Sequence, residues 1–228
     1  QGQTNIDDGV RIFTGYTGGA SRSDQALEVQ LQEARTFYNR SACPNVFTTT
    51  DYPSIDDKFV NKPIPVAYGD IRRGIAVPIN TAGFDKDAGG VVTFKLADDS
   101  LHAIRAVTAL YDDAGNALTP LGTINLSDCT VQYDVPPDAE LDLKSVTWEG
   151  EGYDLPGALD YNHGLDIVRD IFENQGQLFY GASTFDTTQW DAQAAAQTSA
   201  IGISIQSDRG LIEQLVERTA FGGQADRG

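Results

Sequence analysis

The feature that most constrains this chain is a series of short runs that alternate apolar and polar residues and stop at glycine, proline or asparagine. In Ala26–Ala34, ALEVQLQEA, the residues Leu27, Val29 and Leu31 fall on one side of an extended chain and Glu28, Gln30 and Gln32 on the other. That period of two belongs to a half-buried strand, despite the good helix formers within it. VRIFTGY (Val10–Tyr16, turned by Gly18-Gly19), GVVTFKLA (Gly90–Ala97), CTVQYDV (Cys129–Val135) and SVTWEG (Ser145–Gly150) read as further strands, the last two separated by Pro136-Pro137. LHAIRAVTALYDDAGNALTPL reads as a hairpin with its tip at Asp112–Asn116, where Asp, Gly and Asn supply the turn. Short strands at this spacing point to barrels or sandwiches.

The rhythm changes after Tyr153. NHGLDIVRDIFENQG places Leu165, Val168, Ile171 and Phe172 at helical spacing, with Asn162 as N-cap and Gly176 past the end. AIGISIQ alternates again through Ile201, Ile203 and Ile205; Ser207 then opens a second helix with the stripe Leu211, Ile212, Leu215 and Val216, stopped by Gly222-Gly223. The fold class expected is mainly β with an α+β C-terminal part. Its organisation divides at 1–74, a β domain, 75–154, a second β-rich domain, and 155–228, a two-helix α+β segment. The chain starts QGQTN, contains no methionine and ends soon after the second helix; a piece of a longer protein is expected, continuing beyond residue 228.

Charge narrows the function. Against 33 Asp and Glu stand only 16 Lys and Arg, a formal charge of −17, and such a surface repels phosphate backbones and argues against nucleic-acid recognition. Solubility, or an origin in salty surroundings, accounts for the acidity; so does a surface past which nucleic acid slides without adhering. No apolar run approaches the length of a membrane span. Cys43 and Cys129 lie far apart with no metal-ligand spacing and read as buried free thiols.

Motifs that carry chemistry are sparse. Phosphate-binding, nucleophile-elbow and zinc-protease patterns are missing. His102, in a strand, and His163, at a helix start, are more simply packing or capping residues than bases. FDKDAGG starts like a calcium loop with Asp85, Asp87 and Gly90, but its twelfth position is Leu96 where a bidentate Glu is needed, so an acidic turn accounts for it better. No cofactor, metal or catalytic residue is assigned. One pair leaves an alternative open: in TWEGEGYD, Glu149 and Glu151 lie two apart on a strand beside Trp148 and Tyr153, the arrangement of a groove that binds or cleaves glycan. A β-domain surface adhesin is a second alternative.

The stretch DDKFVNKPIPVAYGDIRRG (Asp56–Gly74) sets Pro63 and Pro65 one residue apart before Tyr68-Gly69. Proline fixes φ and donates no hydrogen bond, so the stretch reads as an extended segment entering a sheet at its border and turning at Gly69. Lys62, Arg72 and Arg73 form a rare basic group, either paired with a neighbouring subunit's carboxylates or balancing charge within the chain.

With Tyr52-Pro53, Asp56 and Asp57 leading into Asn61-Lys-Pro-Ile-Pro-Val-Ala-Tyr-Gly69, then the helix near Asn162–Phe172 and a later one from Ser207 to Gly222, the order of segments resembles the tail hub (baseplate hub or tail-tip) proteins of long-tailed bacteriophages. His163-Gly164 replaces the Pro-Ala of the family's helix start, and Ile75–Gly150 matches no part of it. The resemblance implies a non-enzymatic virion protein: a homotrimer at the tail tip, with tube-like β-barrel or sandwich domains that mimic a sixfold ring and cap the tail tube. It further implies tail-tube, distal-tail or tail-fibre partners, and DNA that passes during ejection without specific binding. Three copies would carry three times the −17 of one chain, which suits a wall beside a moving polyanion. On this reading Lys62, Pro63, Pro65, Tyr68, Gly69, Arg72 and Arg73 are the interface or joint residues.

Overall fold

Pairing of the alternating runs fixes the architecture. The computed structural model describes residues 15–22, 27–33, 41–155, 159–171, 192, 196 and 200–206, and the chain divides into two compact units, Gln1–Asn39 and Arg40–Gly228.

In the first unit, β1 (Gly15–Arg22) and β2 (Leu27–Glu33) form an antiparallel hairpin, from Gly15 opposite Glu33 to Arg22 opposite Leu27. The expected run ALEVQLQEA is thus a strand. The turn expected at Gly18-Gly19 is not there: both glycines lie inside β1, where Thr17 faces Leu31 and Gly19 faces Gln30. Gly18 is therefore the extra residue of a bulge, a use of glycine that a turn reading overlooks.

The second unit holds two antiparallel sheets, so the expected mainly-β class is found. One sheet contains β3 (Val66–Ile75), β6 (Ile104–Tyr111), β7 (Ala117–Leu118), β10 (Thr147–Tyr153) and β11 (Gly202–Ile205) in the order β11-β3-β10-β6-β7. The other contains β4 (Val77–Pro78), β5 (Gly90–Lys95), β8 (Leu121–Asn125) and β9 (Thr130–Val135) in the order β4-β5-β9-β8. The chain changes sheet at Ala76, whose N–H donates to Val146 O at 3.2 Å. Position 74 lies inside β3. Among the described residues neither sheet closes on itself. The hairpin read at Asp112–Asn116 is present, with Tyr111 opposite Ala117 and Gly115 at a positive φ of 87°.

Alternation places the core. Along β9, Val131, Tyr133 and Val135 are buried while Asp134 is exposed. Trp148, Tyr68, Tyr153, Phe94, Leu96, Ile104 and Leu110 are fully enclosed, joined by Ile167 and Ile171 of α1 (Gly164–Asp170) and its end. A smaller cluster, Phe47, Ile55, Ile64 and Val77, is covered by Tyr52, Phe59, Val60 and Ile79. Two local expectations fail here. The stretch PNVFTTTDYPSID is not extended beyond Val46; it folds into turns, with Tyr52 N–H donating to Thr48 O at 2.9 Å. The N-cap of α1 is His163 rather than Asn162, and it caps without its side chain; Asp166, three residues on, accepts from Asp160 N–H at 3.0 Å instead. The second helix read at Ser207–Gly222 lies outside the described residues.

Candidate functional site

The proline element is built into the second unit from both sides. Phe47 N–H donates to Lys62 O, and Ile64 N–H to Asn45 O, each at 2.9 Å, while Val46 bridges Pro63. Residues two apart in extended chain direct their backbone groups the same way, so Lys62 and Ile64 serve the 45–47 segment and the two prolines serve the opposite side. There only acceptors are used: Pro63 O takes Gln206 Nε2 at 2.9 Å, and Pro65 O takes Asp98 N–H at 2.8 Å. A residue without an N–H leaves no orphaned donor at such a position. Both prolines are buried, not at a solvent border.

Nor does the strand turn after the element. β3 runs ten residues, through Gly69, at φ +72°, where an added Cβ would lie 1.6 Å from Ile201 O. Gly202, opposite, has the reciprocal constraint against Asp70 O, again 1.6 Å. Only glycines allow the paired strands β3 and β11 to approach this closely. Past Gly69, Asp70 N–H still donates to Ile201 O at 3.3 Å, while Ile201 N–H turns to Asn162 O at 3.0 Å and Ala200 bridges His163.

Tyr68 is wholly buried and anchors α1. Its hydroxyl donates to Asp170 Oδ2 at 3.0 Å, and Asp170 Oδ1 lies 2.9 Å from His102 Nε2. Tyr153 stands edge-on to both Tyr68 and His102, with ring centroids 5.0 and 5.6 Å away. Asp98 N–H reaches the Tyr153 hydroxyl at 3.1 Å. Burial, with Asp98 adding to it, pushes the Tyr153 phenol well above its usual range. His102 precedes β6 rather than lying in a strand. The node ties β3, β10, α1 and the segment before β6 into one polar knot, with Asp170 fully enclosed.

Past Gly69, β3 carries the arginines. Ile71 faces Gly150 and Gly74 faces Trp148, so Arg72 and Arg73 together oppose the single residue Glu149. This is a β-bulge, and bulges re-aim side chains; both arginines are exposed. Arg73 stacks over the Tyr111 ring at 4.1 Å and reaches Thr147 Oγ1 at 3.5 Å. The Tyr111 hydroxyl donates to Glu149 Oε2 at 2.7 Å, and that bond raises its pKa. Arg72 holds no ion pair or side-chain hydrogen bond among the described residues. A groove of about 400 Å³ opens beside the bulge, lined by Asp70, Ile71, Arg72, Arg73 and Gly74 with Ala200, Gly202 and Ser204. The Ser204 hydroxyl is buried there with no partner among the described residues.

The structure thus brings Arg72 and Arg73 to one groove, leaves the exposed Lys62 outside its lining, and places Pro63, Pro65, Tyr68 and Gly69 inside the unit. Trp148, the aromatic of the glycan alternative, is fully buried. Glu149 is held by Tyr111, and Glu151 by Arg105, whose Nε lies 3.2 Å away; Arg105 also reaches Asp154 and stacks on Tyr161. Among the described residues no cluster of His, Cys, Asp or Glu is suited to a metal, no helix is long and apolar enough to cross a membrane, and Cys43 and Cys129 are buried thiols that form no disulfide. Sequence reasoning missed Asp170 and Arg105. Asp170 was findable, because it lies three residues from Ile167 on the apolar face of α1; Arg105 gave no signal.

Comparison of the chain with protein families, with curated proteins and with solved structures finds no match.

Proposed function

We propose that this chain is a structural subunit of a phage-like tail, a hub that assembles as a trimeric ring, caps the tail tube and lets DNA pass on ejection. The observation that carries the reading is the Asn61–Gly69 element, preceded by Tyr52-Pro53 and followed by the Asn162 helix, in the order found in tail hub proteins. In this proposal the β segments contribute tube-like domains to the ring, and the work is done by shape and negative potential, with no catalytic step. Support from physics is twofold. The Pro63/Pro65 segment is rigid and internally satisfied, as suits a joint that holds its geometry under load. The acidic excess keeps a passing polyanion from adhering.

The test is mass in solution. Sedimentation over a wide concentration range should find a species of three times the 24.6 kDa of one chain. A monomer at every concentration refutes the reading.

A further inference from the structure

Each copy in a ring with threefold symmetry must present two different, complementary patches. We propose that the groove beside the Arg72–Arg73 bulge is one of these and receives the acidic segment Asp134–Glu140 of a second copy of this chain. The inference rests on the trimeric hub reading and names the contact that would hold it.

The groove sets two arginines against a single carboxylate, Asp70. Arg73 is already oriented by Tyr111 and Thr147, which lowers the ordering cost of binding. Arg72 is an exposed guanidinium without a partner among the described residues, in a chain of charge −17.

The occupant follows from charge and rigidity. DVPPDAE carries three carboxylates, Asp134, Asp138 and Glu140, in seven residues. All three are exposed, and none has an ion pair or side-chain hydrogen bond among the described residues. Pro136-Pro137 stiffens the segment, and its backbone is pinned: Asp138 N–H donates to Lys86 O at 3.1 Å. Gly89 lies so close that an added Cβ would be 2.6 Å from Val135 O. Exposed acids on a backbone held in place complement an exposed arginine, whose planar fork can take a carboxylate through two parallel hydrogen bonds. Groove and segment are separate surfaces of the chain, so the contact is head-to-tail.

The experiment measures association of wild type, Arg72→Glu, Asp138→Lys and the double variant by sedimentation, with melting temperature as the control for folding. Each single change should weaken association at least tenfold, and the double, in which the charges are exchanged, should recover most of it. Arg72→Gln, which removes charge without adding a carboxylate, should weaken it by a smaller factor. Two results overturn the inference while leaving the hub reading intact: a wild-type trimer that the single variants also form unchanged, or a double variant no better than the worse single. A wild type that never associates removes the hub reading itself.

Discussion

Tyr68→Phe removes one oxygen atom from a fully buried ring and nothing else. The lost hydroxyl donates to Asp170 Oδ2 at 3.0 Å, and Asp170 is completely enclosed, so water cannot take over the bond. Leaving a buried polar group short of a donor costs about 1–3 kcal/mol. Ring packing against Tyr153, at 5.0 Å and 86°, survives the change, so no cavity contribution is added. In a protein of this size about 1 kcal/mol corresponds to roughly 2–4 °C, which sets the expected fall in melting temperature at about 2–12 °C. Urea unfolding should report the same loss with an unchanged m-value, since the surface exposed on unfolding is the same. The second arm of the test is a cycle with His102→Ala. Because Tyr68 and His102 hold different oxygens of one carboxylate, the double variant should depart from additivity by more than about 0.5 kcal/mol. Additive losses, or a Tyr68→Phe cost under about 0.5 kcal/mol, would mean that the knot does not anchor α1 to the sheet.

Gly69→Ala should cost more than about 3 kcal/mol, because the new methyl meets the backbone oxygen of Ile201 rather than a movable side chain. Gly83→Ala is its control: φ is nearly the same, +73°, but nothing lies within 4 Å, so only the left-handed strain of about 1–2 kcal/mol applies. Equal losses in urea unfolding would refute the close approach of β3 and β11 as the cause. Burial pushes the Cys129 thiol from 9.0 up to about 12, which reduces its thiolate at pH 8 roughly thousandfold; native alkylation should be slower by that factor than in urea, and a fast reaction counts against the burial. The same shift has a stability consequence. The neutral thiol is favoured in the folded chain, so its contribution is intact below pH 9 and disappears as pH rises toward about 12. Tyr52, also raised to about 12, chiefly by burial, acts in the same direction, and a melting temperature that rises between pH 9 and 11 would contradict both.

Strands were legible where one face meets the core and the other meets water. Val131, Tyr133 and Val135 alternate with Gln132 and Asp134 because β9 is solvated on one side, and the Asp112–Asn116 tip declares itself through turn chemistry. What stayed hidden was produced by irregularity. The bulge at Arg72–Arg73 breaks the period of two at the groove, and the sequence offers no sign of it beyond two adjacent cations. At Gly18 and Gly69 glycine's freedom points to a turn; in both cases it permits a distortion inside a strand instead. Asp170 was passed over because acids on helices usually face water. Its partners, Tyr68 and His102, come from distant parts of the chain, and only the tertiary fold brings them together.

The distribution of cations, more than their number, bears on how so acidic a chain could self-associate. Lys95 is buried against Asp99 and Asp128 O, Arg105 is held by Glu151 and Asp154, Lys86 by Leu141 O and Lys144 by Asp56. Each of these positive groups is engaged within its own subunit. Net repulsion between copies is screened beyond roughly 8 Å at physiological salt, so at contact distance the unengaged groups decide what two surfaces do. Arg72 is such a group, projected by a bulge beside a groove, and the exposed carboxylates of Asp134, Asp138 and Glu140 are its natural counterparts. With its net charge screened at longer range, such a chain can let a few unengaged groups specify one way of joining its copies, as the proposed hub reading requires.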